Sequence, residues 1–566
     1  MSSPGDRGSG EHGGGEAPTG EALVRDYHEQ TKHHLDRFAP GPASIDWDAQ
    51  PSGFRHFAGC ERVPLPLGAE RLQVSFNDLR SGTTLGPTRP EPALDVNAAS
   101  IGLLLELSLA ISAWKADGLG ARWAVRCNPS SGNLHPLEAY ALLPAGALGP
   151  AGVYHYAAET HELARRCTFD DALSGRLATL LGETSLLLGL ALVPWREAWK
   201  YGLRAWRYCQ LDLGHGLAAL AYAAAALGWR LRELDGWSSA DLAGLLGLDR
   251  AADFEADEPE YPATLIAIGP EPPSPEPGDL PPDRIRAQRW QGKANRLDRR
   301  HFYRWDQVDA MARLAKASVS TTAALGGEPM AAPPPRLPPG PDADAVALIQ
   351  TRRSARAFDP RRALDKDAFL RILDGCRPRI GSPPWDERQP PVPIHHLLFV
   401  HRVAEMPPGL YWLAAAGADP ADLRGSMRPE FAWDRPASCP AGLPLLRLAT
   451  LSARKAAMRL GCHQQLCAQS AFALAMLGEL DAVVCRSAAG YDALLREAGR
   501  MGQALYLNAA AEGAGASGIG CFFDDPLHEL LGLRDQRLQA LYMFTVGPAL
   551  PDLGLLDAPA YDRGGA

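Results

Sequence analysis

The sequence predicts an α+β protein in which two related halves follow one another in one chain. Three observations carry this. Helical and strand-like runs mix without a repeating βαβ pattern, which argues against a doubly wound sheet. The stretch "GHGLAALAYAAAALG" (Gly214–Gly228) lies over "GRMGQALYLNAAAEG" (Gly499–Gly513) without a gap, with seven of fifteen positions identical. At the same offset of 285, "LLGL" at Leu245–Leu248 falls on "LLGL" at Leu530–Leu533. The third observation is a proline-rich break between about Gly269 and Gly340, containing "GPEPPSPEPGDLPP" and "PMAAPPPRLPPGP", a composition that makes connectors rather than cores. The repeated unit is a whole domain, so the duplication predicts a fused pseudo-dimer and not a solenoid.

In chain order, residues 1–22 read as a disordered tail. Their "GSGEHG" is a formal G-x-G-x-x-G, but it follows no strand and opens no helix, so it is rejected as a dinucleotide fingerprint. Residues 23–270 form the first domain and 271–340 the connector. The connector's aromatic piece (Trp290, Phe302, Tyr303, Trp305) is expected to strap onto a domain surface. Residues 341–556 form the second domain and 557–566 a tail. In the repeated segment, Tyr491, Leu494, Ala498, Met501, Leu505 and Ala509 recur at helical spacing, and its small residues suit a close helix–helix interface. "IHHLLFVHRV" (Ile394–Val403) and "LYMFTVG" (Leu541–Gly547) read as strands.

Composition narrows the function classes. At 566 residues the chain is too long for one core, and 46% hydrophobic with 22% charged residues is ordinary for a globular protein. A net charge of −9 gives no global basic excess for nucleic acid. Ten cysteines without regular spacing make no disulfide framework. Cys462 and Cys467, with His463 between them, read as scattered thiols rather than a metal site. With no apolar leader and no run long enough to span a bilayer, a soluble cytoplasmic protein is expected.

Two segments carry chemistry. "RCNPSSGNLHPLEAY" (Arg126–Tyr140) crowds turn residues into one corner, as an ordinary turn or a ligand-cradling loop would. "ALIQTRRSARAFD" (Ala347–Asp359) groups Arg352, Arg353, Ser354 and Arg356. Its residues fit either a phosphate clamp of guanidinium forks or a solvated basic helix end. Asp212 and His215, one turn apart, read as a catalytic couple or a satisfied interface pair. Asp524 and Asp525 read as the acidic start of a helix.

"RRSAR" resembles the first motif of the FMN-dependent nitroreductase superfamily, and "NPSSGNLHP" resembles its Pro-Ser-Ser-Asn loop, with His135 where Gln is usual. "SGIGCFFDDPLHELLGL" (Ser517–Leu533) is similar to its glycine turn and following helix. "NPSSGNLHPLEAY" with "KYGLRAWRYCQLDLGH" most resembles the SagB-type branch, whose members oxidise azolines in modified peptides. The resemblance implies two tandem nitroreductase-like domains with FMN at their interface. Arg352, Arg353, Ser354 and Arg356 would hold its phosphate and ribityl chain. Pro129, Ser130, Ser131 and Asn133 would reach it from the other half, and a turn at Gly518, Ile519 and Gly520 would aim amides at the ring. The first half has only "NDLRSGTTLGPTR" (Asn77–Arg89) at the arginine-motif position. The second has "IGSPPWDERQPP" (Ile380–Pro391) at the serine-loop position. The losses are complementary, so one FMN per chain is expected.

In the SagB-type branch a Lys-Tyr pair, here Lys200 and Tyr201, is tied to removal of the substrate proton; a desolvated lysine suits that task. The substrate would be a small molecule or modified peptide, a cyclodehydratase-type partner is implied, and the pseudo-dimer would work as a monomer. Two alternatives stay open: an NAD(P)H-dependent nitro or quinone reductase, and a flavin-free pseudoenzyme scaffold in a peptide-modifying complex.

Overall fold

Strand runs with both faces apolar, such as "LEAYALL" and "LLLGLAL", build sheets buried on both sides. The computed structural model describes residues 19–81, 94–298, 304–317, 335–385, 392–415, 417–419 and 423–562. The first main sheet contains β1 (Leu137–Leu143), β2 (Gly152–Ala157), β3 (Glu162–Thr168), β4 (Leu186–Leu192), β5 (Arg230–Glu233) and β6 (Tyr261–Gly269). The second contains β7 (Ile394–Val400), β8 (Gly409–Leu413), β9 (Leu445–Thr450), β10 (Phe472–Glu479), β11 (Gly515–Ile519) and β12 (Leu538–Gly547). Their strand orders are β3-β2-β1-β4-β6-β5 and β9-β8-β7-β10-β12-β11, the same path shifted by six strands, and all pairings in them are antiparallel.

Each sheet sends one long helix from its fourth strand to its fifth: α1 (Ala205–Ala226) in the first half and α2 (Ala489–Ala511) in the second. The two helices pack on each other, and the small residues explain how closely. A Cβ on Gly214 would lie 2.0 Å from the Arg496 carbonyl oxygen, and one on Gly499 would lie 2.1 Å from that of Leu211. The two glycines, at equivalent positions of the repeat, also face each other, each a virtual Cβ of about 3 Å from the other's Cα. Equivalent residues meet in this way on an axis of pseudo-two-fold symmetry. The second match has an equally local cause: Gly247 and Gly532 each cap a helix in the left-handed conformation, at φ 70° and 82°. One core, with Tyr491, Leu494, Ala498, Met501, Leu505 and Ala509 in it, draws on both halves, and each sheet covers a smaller core on its other face.

Three expectations need correction. Residues 20–22 belong to a helix, Gly20–Gln30, capped by the Thr19 side chain; "GSGEHG" lies outside the described residues. Leu555–Ala558 is a strand paired with Ile111–Asp117 of the first half, and the Tyr561 hydroxyl donates to the Ala158 carbonyl. The chain therefore crosses back over itself where a tail from 557 was expected, because "LLDA" completes an exposed sheet edge. The connector is also more structured than its prolines suggest. Arg289–Trp290 adds to β3, Lys293–Ala294 pairs with Phe57–Ala58, and a helix spans Asp306–Ala317. The expected strap thus exists around Trp290, while Phe302 and Tyr303 lie outside the described residues. No helix among the described residues is long and apolar enough to cross a membrane.

Candidate functional site

A cavity of about 930 Å³ opens where the halves meet, within the range of small-molecule and cofactor pockets. Its lining includes Pro129, Ser130, Ser131, Asn133 and Tyr201 from the first half, and Arg352, Arg353, Ser354, Arg356, Gly518, Ile519 and Gly520 from the second. Residues read from three separated segments thus converge on one space.

The arginine segment follows a short helix, Ala345–Thr351, whose regular hydrogen bonding ends at Arg352. Arg352 is 5% exposed; its Nε and Nη2 donate to the carbonyls of Cys127 (2.9 Å) and Arg126 (3.0 Å), so it staples the serine loop from across the interface. Its Nη1 is buried with no partner, as is the Nε of Arg353. Among the described residues no carboxylate pairs with either guanidinium, and burial pushes both below the ordinary arginine range. A buried cation without a counter-charge is costly, so an anion in this cavity would be favoured beside Arg352. Arg356 differs: it is 65% exposed and paired with Asp552 at 3.0 Å. Ser354 shares a hydrogen bond with the Tyr506 hydroxyl (2.7 Å).

The serine loop owes its shape to Gly132, Asn133 and His135, all at positive φ (59°, 61° and 51°). Its serines spend their bonds inward. Ser130 Oγ donates to Asp212 at 2.6 Å, while the Ser131 amide (3.0 Å) and hydroxyl (2.9 Å) donate to the same carboxylate. Asn133 donates to the Ala124 carbonyl and bonds His135. Burial still raises the Asp212 carboxyl to about 7, against the lowering effect of these bonds. Asp212 and His215 form no pair. His215 bonds Gln503 (3.4 Å) and Tyr542 (3.3 Å), and burial drops it to about 3. Both line the cavity.

The expected glycine turn is instead the end of β11. A Cβ on Gly518 would fall 1.9 Å from the Tyr542 hydroxyl, and one on Gly520 would fall 2.3 Å from the Tyr208 ring. The glycines admit these tyrosines beside the cavity. The Gly518 amide donates to Tyr506 (3.0 Å) and is not aimed freely into the space. Asp524 does open a helix, Asp524–Leu531, but its carboxylate is buried against Arg204 (3.1 Å) and Arg207 (3.0 Å) of the other half, which hold it far below the carboxylate range despite burial.

Lys200 and Tyr201 end the helix Pro194–Tyr201. They lie against the serine loop: a Cβ on Gly132 would lie 2.6 Å from the Tyr201 hydroxyl and 3.2 Å from Lys200 Nζ. Helix and loop are in contact because only glycine leaves room. Burial pushes the Lys200 ammonium below its usual range, opposed by Glu197, and pushes the Tyr201 phenol up. Sequence reasoning missed Glu197, a buried carboxyl whose two oxygens find no partner and whose pKa burial raises strongly. It also missed Asn128, whose buried Oδ1 is unpartnered at the cavity wall, although that residue stands in the quoted loop.

The equivalent carboxyl on the opposite side of the pseudo-axis has a different partner. Glu497, the 285-offset counterpart of Asp212, accepts from Trp385 Nε1 at 2.7 Å, and Trp385 is 5% exposed. A tryptophan thus stands where the first half has serines. The remainder of that loop, 386–391, and residues 82–89 of "NDLRSGTTLGPTR" lie outside the described residues.

Residues 449–548 match the Nitroreductase family model. Among solved structures, a candidate nitroreductase from Anabaena variabilis shares the fold over almost the whole length, with a TM-score of 0.64, 21% identity, and coverage of 93% of this chain and 99% of that one. A candidate nitroreductase in complex with FMN from Exiguobacterium sibiricum matches over 37% of this chain and 90% of its own, at 15% identity and a TM-score of 0.23. The E. coli microcin synthetase McbBCD complex, with truncated pro-MccB17 bound, matches over 44% of this chain and 92% of its own, at 15% identity and a TM-score of 0.25. Comparison with curated protein sequences finds no significant match.

Proposed function

We propose that the chain is an FMN-dependent oxidoreductase whose two tandem halves (23–270 and 341–556, joined by 271–340) form an intrachain pseudo-dimer with one cofactor site, and that it dehydrogenates an azoline-like organic substrate. The carrying observation is the buried guanidinium of Arg352, which has a free Nη1 and no carboxylate partner among the described residues, beside Arg353 in a cavity lined by both halves. A phosphate monoester supplies the anion this guanidinium lacks, through charge-assisted bonds. The Trp385–Glu497 bond, standing where the first half has its serines on Asp212, supports a single site. Bound flavin would supply the two-electron acceptor; the protein positions it and handles protons.

Around it, Arg352 and Arg353 would bind the phosphate, and Ser130, Ser131 and Asp212 would keep the loop facing the cofactor at fixed height. Tyr208, Tyr506 and Tyr542 wall the cavity. When hydride leaves the substrate carbon, a proton must leave its neighbour. Lys200, partly desolvated and beside Tyr201 at the loop, is the group to take it. Glu197, on the same helix and raised by burial, would be a second proton-holding group.

Flavin stoichiometry of the purified protein and anaerobic reduction test this reading. One FMN per chain, reduced by an azoline peptide and slowed about a hundredfold by Lys200→Ala, is the expected result. Two FMN per chain would sink the single-site reading. Bleaching by NAD(P)H alone, with no response to azolines, would replace the substrate assignment by a nitro or quinone reductase. A colourless protein that does not take up FMN would leave the scaffold reading.

A further inference from the structure

Cys462 and Cys521 are 59 positions apart in sequence and meet at the rim of the cavity. Two hydrogen bonds bring their segments together: the Phe523 amide donates to the Leu460 carbonyl (2.8 Å), and Gln464 Nε2 donates to the Cys521 carbonyl (3.2 Å). Cys462 and His463 hold left-handed conformations, at φ 50° and 60°, and so turn the chain back towards β11. The Cys462 and Cys521 side chains neighbour each other, and Cys521 also neighbours His33, whose Nδ1 accepts from the Ala39 amide. Both cysteines are half-buried, and Cys521 and Gln464 line the cavity.

We propose that Cys462 and Cys521 are a redox-active dithiol that closes to a disulfide on reaction with a small-molecule disulfide, tying the Gly461–Gln464 turn to the cavity rim. Cys521 is the attacking sulfur. Its surroundings favour the thiolate: the neighbouring Cys462 acts first, and with His33 and the Arg204 guanidinium it outweighs burial. Cys462 moves the other way and keeps the proton. Asp524, which is paired to Arg204, and the phenols of Tyr201 and Tyr208 complete the charged and titratable groups around Cys521. In the reaction, Cys521 attacks one sulfur of R–S–S–R and expels one thiolate. Cys462 then loses its proton and attacks Cys521 in the mixed disulfide, expelling the second. Two protein thiols are oxidised and one small disulfide is reduced to two thiols. None of this requires flavin.

The test uses the full-length protein, reduced, desalted and exposed to oxidised glutathione. Tryptic mapping without reductant should join Leu460–Arg486 to Met501–Arg534, less two hydrogens. The link should persist in Cys467→Ala, since Leu460–Arg486 also holds Cys467 and Cys485. In Cys462→Ser the expected product is glutathione trapped on Cys521. Iodoacetamide at pH 6 should alkylate Cys521 at least about tenfold faster than the exposed Cys485, as a stabilised thiolate requires. A Cys462–Cys467 link, or glutathione retained on Cys521 in the wild-type chain, would overturn the proposal. So would equal alkylation of Cys521 and Cys485.

Discussion

Replacing Arg352 by alanine removes the guanidinium that both staples the serine loop and offers a free Nη1 to the cavity. A charge-assisted bond to phosphate is worth about 1.5–3 kcal/mol, so FMN affinity should fall about ten- to a hundredfold. The unliganded protein should lose less, because the substitution also removes a buried cation with no counter-charge. Arg356→Ala supplies the contrast. Its side chain is 65% exposed and already paired with Asp552; exposed pairs contribute about 0–1 kcal/mol, so its affinity change should stay within about fivefold. Arg352→Lys keeps the charge without the fork and should fall between them. The assay is fluorescence titration of FMN into flavin-stripped protein, with circular dichroism and Tm as controls for folding. Arg352→Ala binding FMN as tightly as the wild type, with unchanged Tm, would refute the clamp.

Asp212 should make stability pH-dependent. Its carboxyl lies at about 7 in the folded protein, above its unfolded value, so the native state keeps a proton that the unfolded chain has lost. Stability should therefore fall as pH rises from about 4 to 7, by up to a few kcal/mol, and Asp212→Asn should flatten that part of a Tm-against-pH curve. An unchanged slope would put the carboxyl in its ordinary range. Tyr201→Phe should retain bound flavin and dithionite reduction while slowing substrate-driven reduction; stopped-flow spectra check both, and loss of flavin would assign Tyr201 to the cofactor shell. Gly499→Ala sets a methyl against the Leu211 carbonyl and should cost about 3 kcal/mol or more in urea unfolding. Gly175→Ala, in an uncrowded helix, should stabilise by about 0.5–1 kcal/mol.

The sequence by itself determined the elements whose cause is local. The two left-handed caps at Gly247 and Gly532, the long helices with their small-residue faces, the apolar strands and the turn-rich serine loop all follow from residues a few positions apart. The duplication was legible because equivalent glycines at the pseudo-axis cannot change without forcing the helices apart. Tertiary structure decided which groups satisfy which. Ser130 and Ser131 meet Asp212 across 82 and 81 positions, Arg204 meets Asp524 across 320, and Trp385 meets Glu497 across 112. It also carried Leu555–Ala558 back to the first half, set Gly132 against Lys200 and Tyr201, and brought Cys462 to Cys521. The Arg204–Asp524 pair and the Leu555–Ala558 strand need the two halves packed together, and the other contacts need distant segments of one half brought together. A buried charge or polar group must then find whatever partner the packing supplies, and no local pattern names that partner in advance.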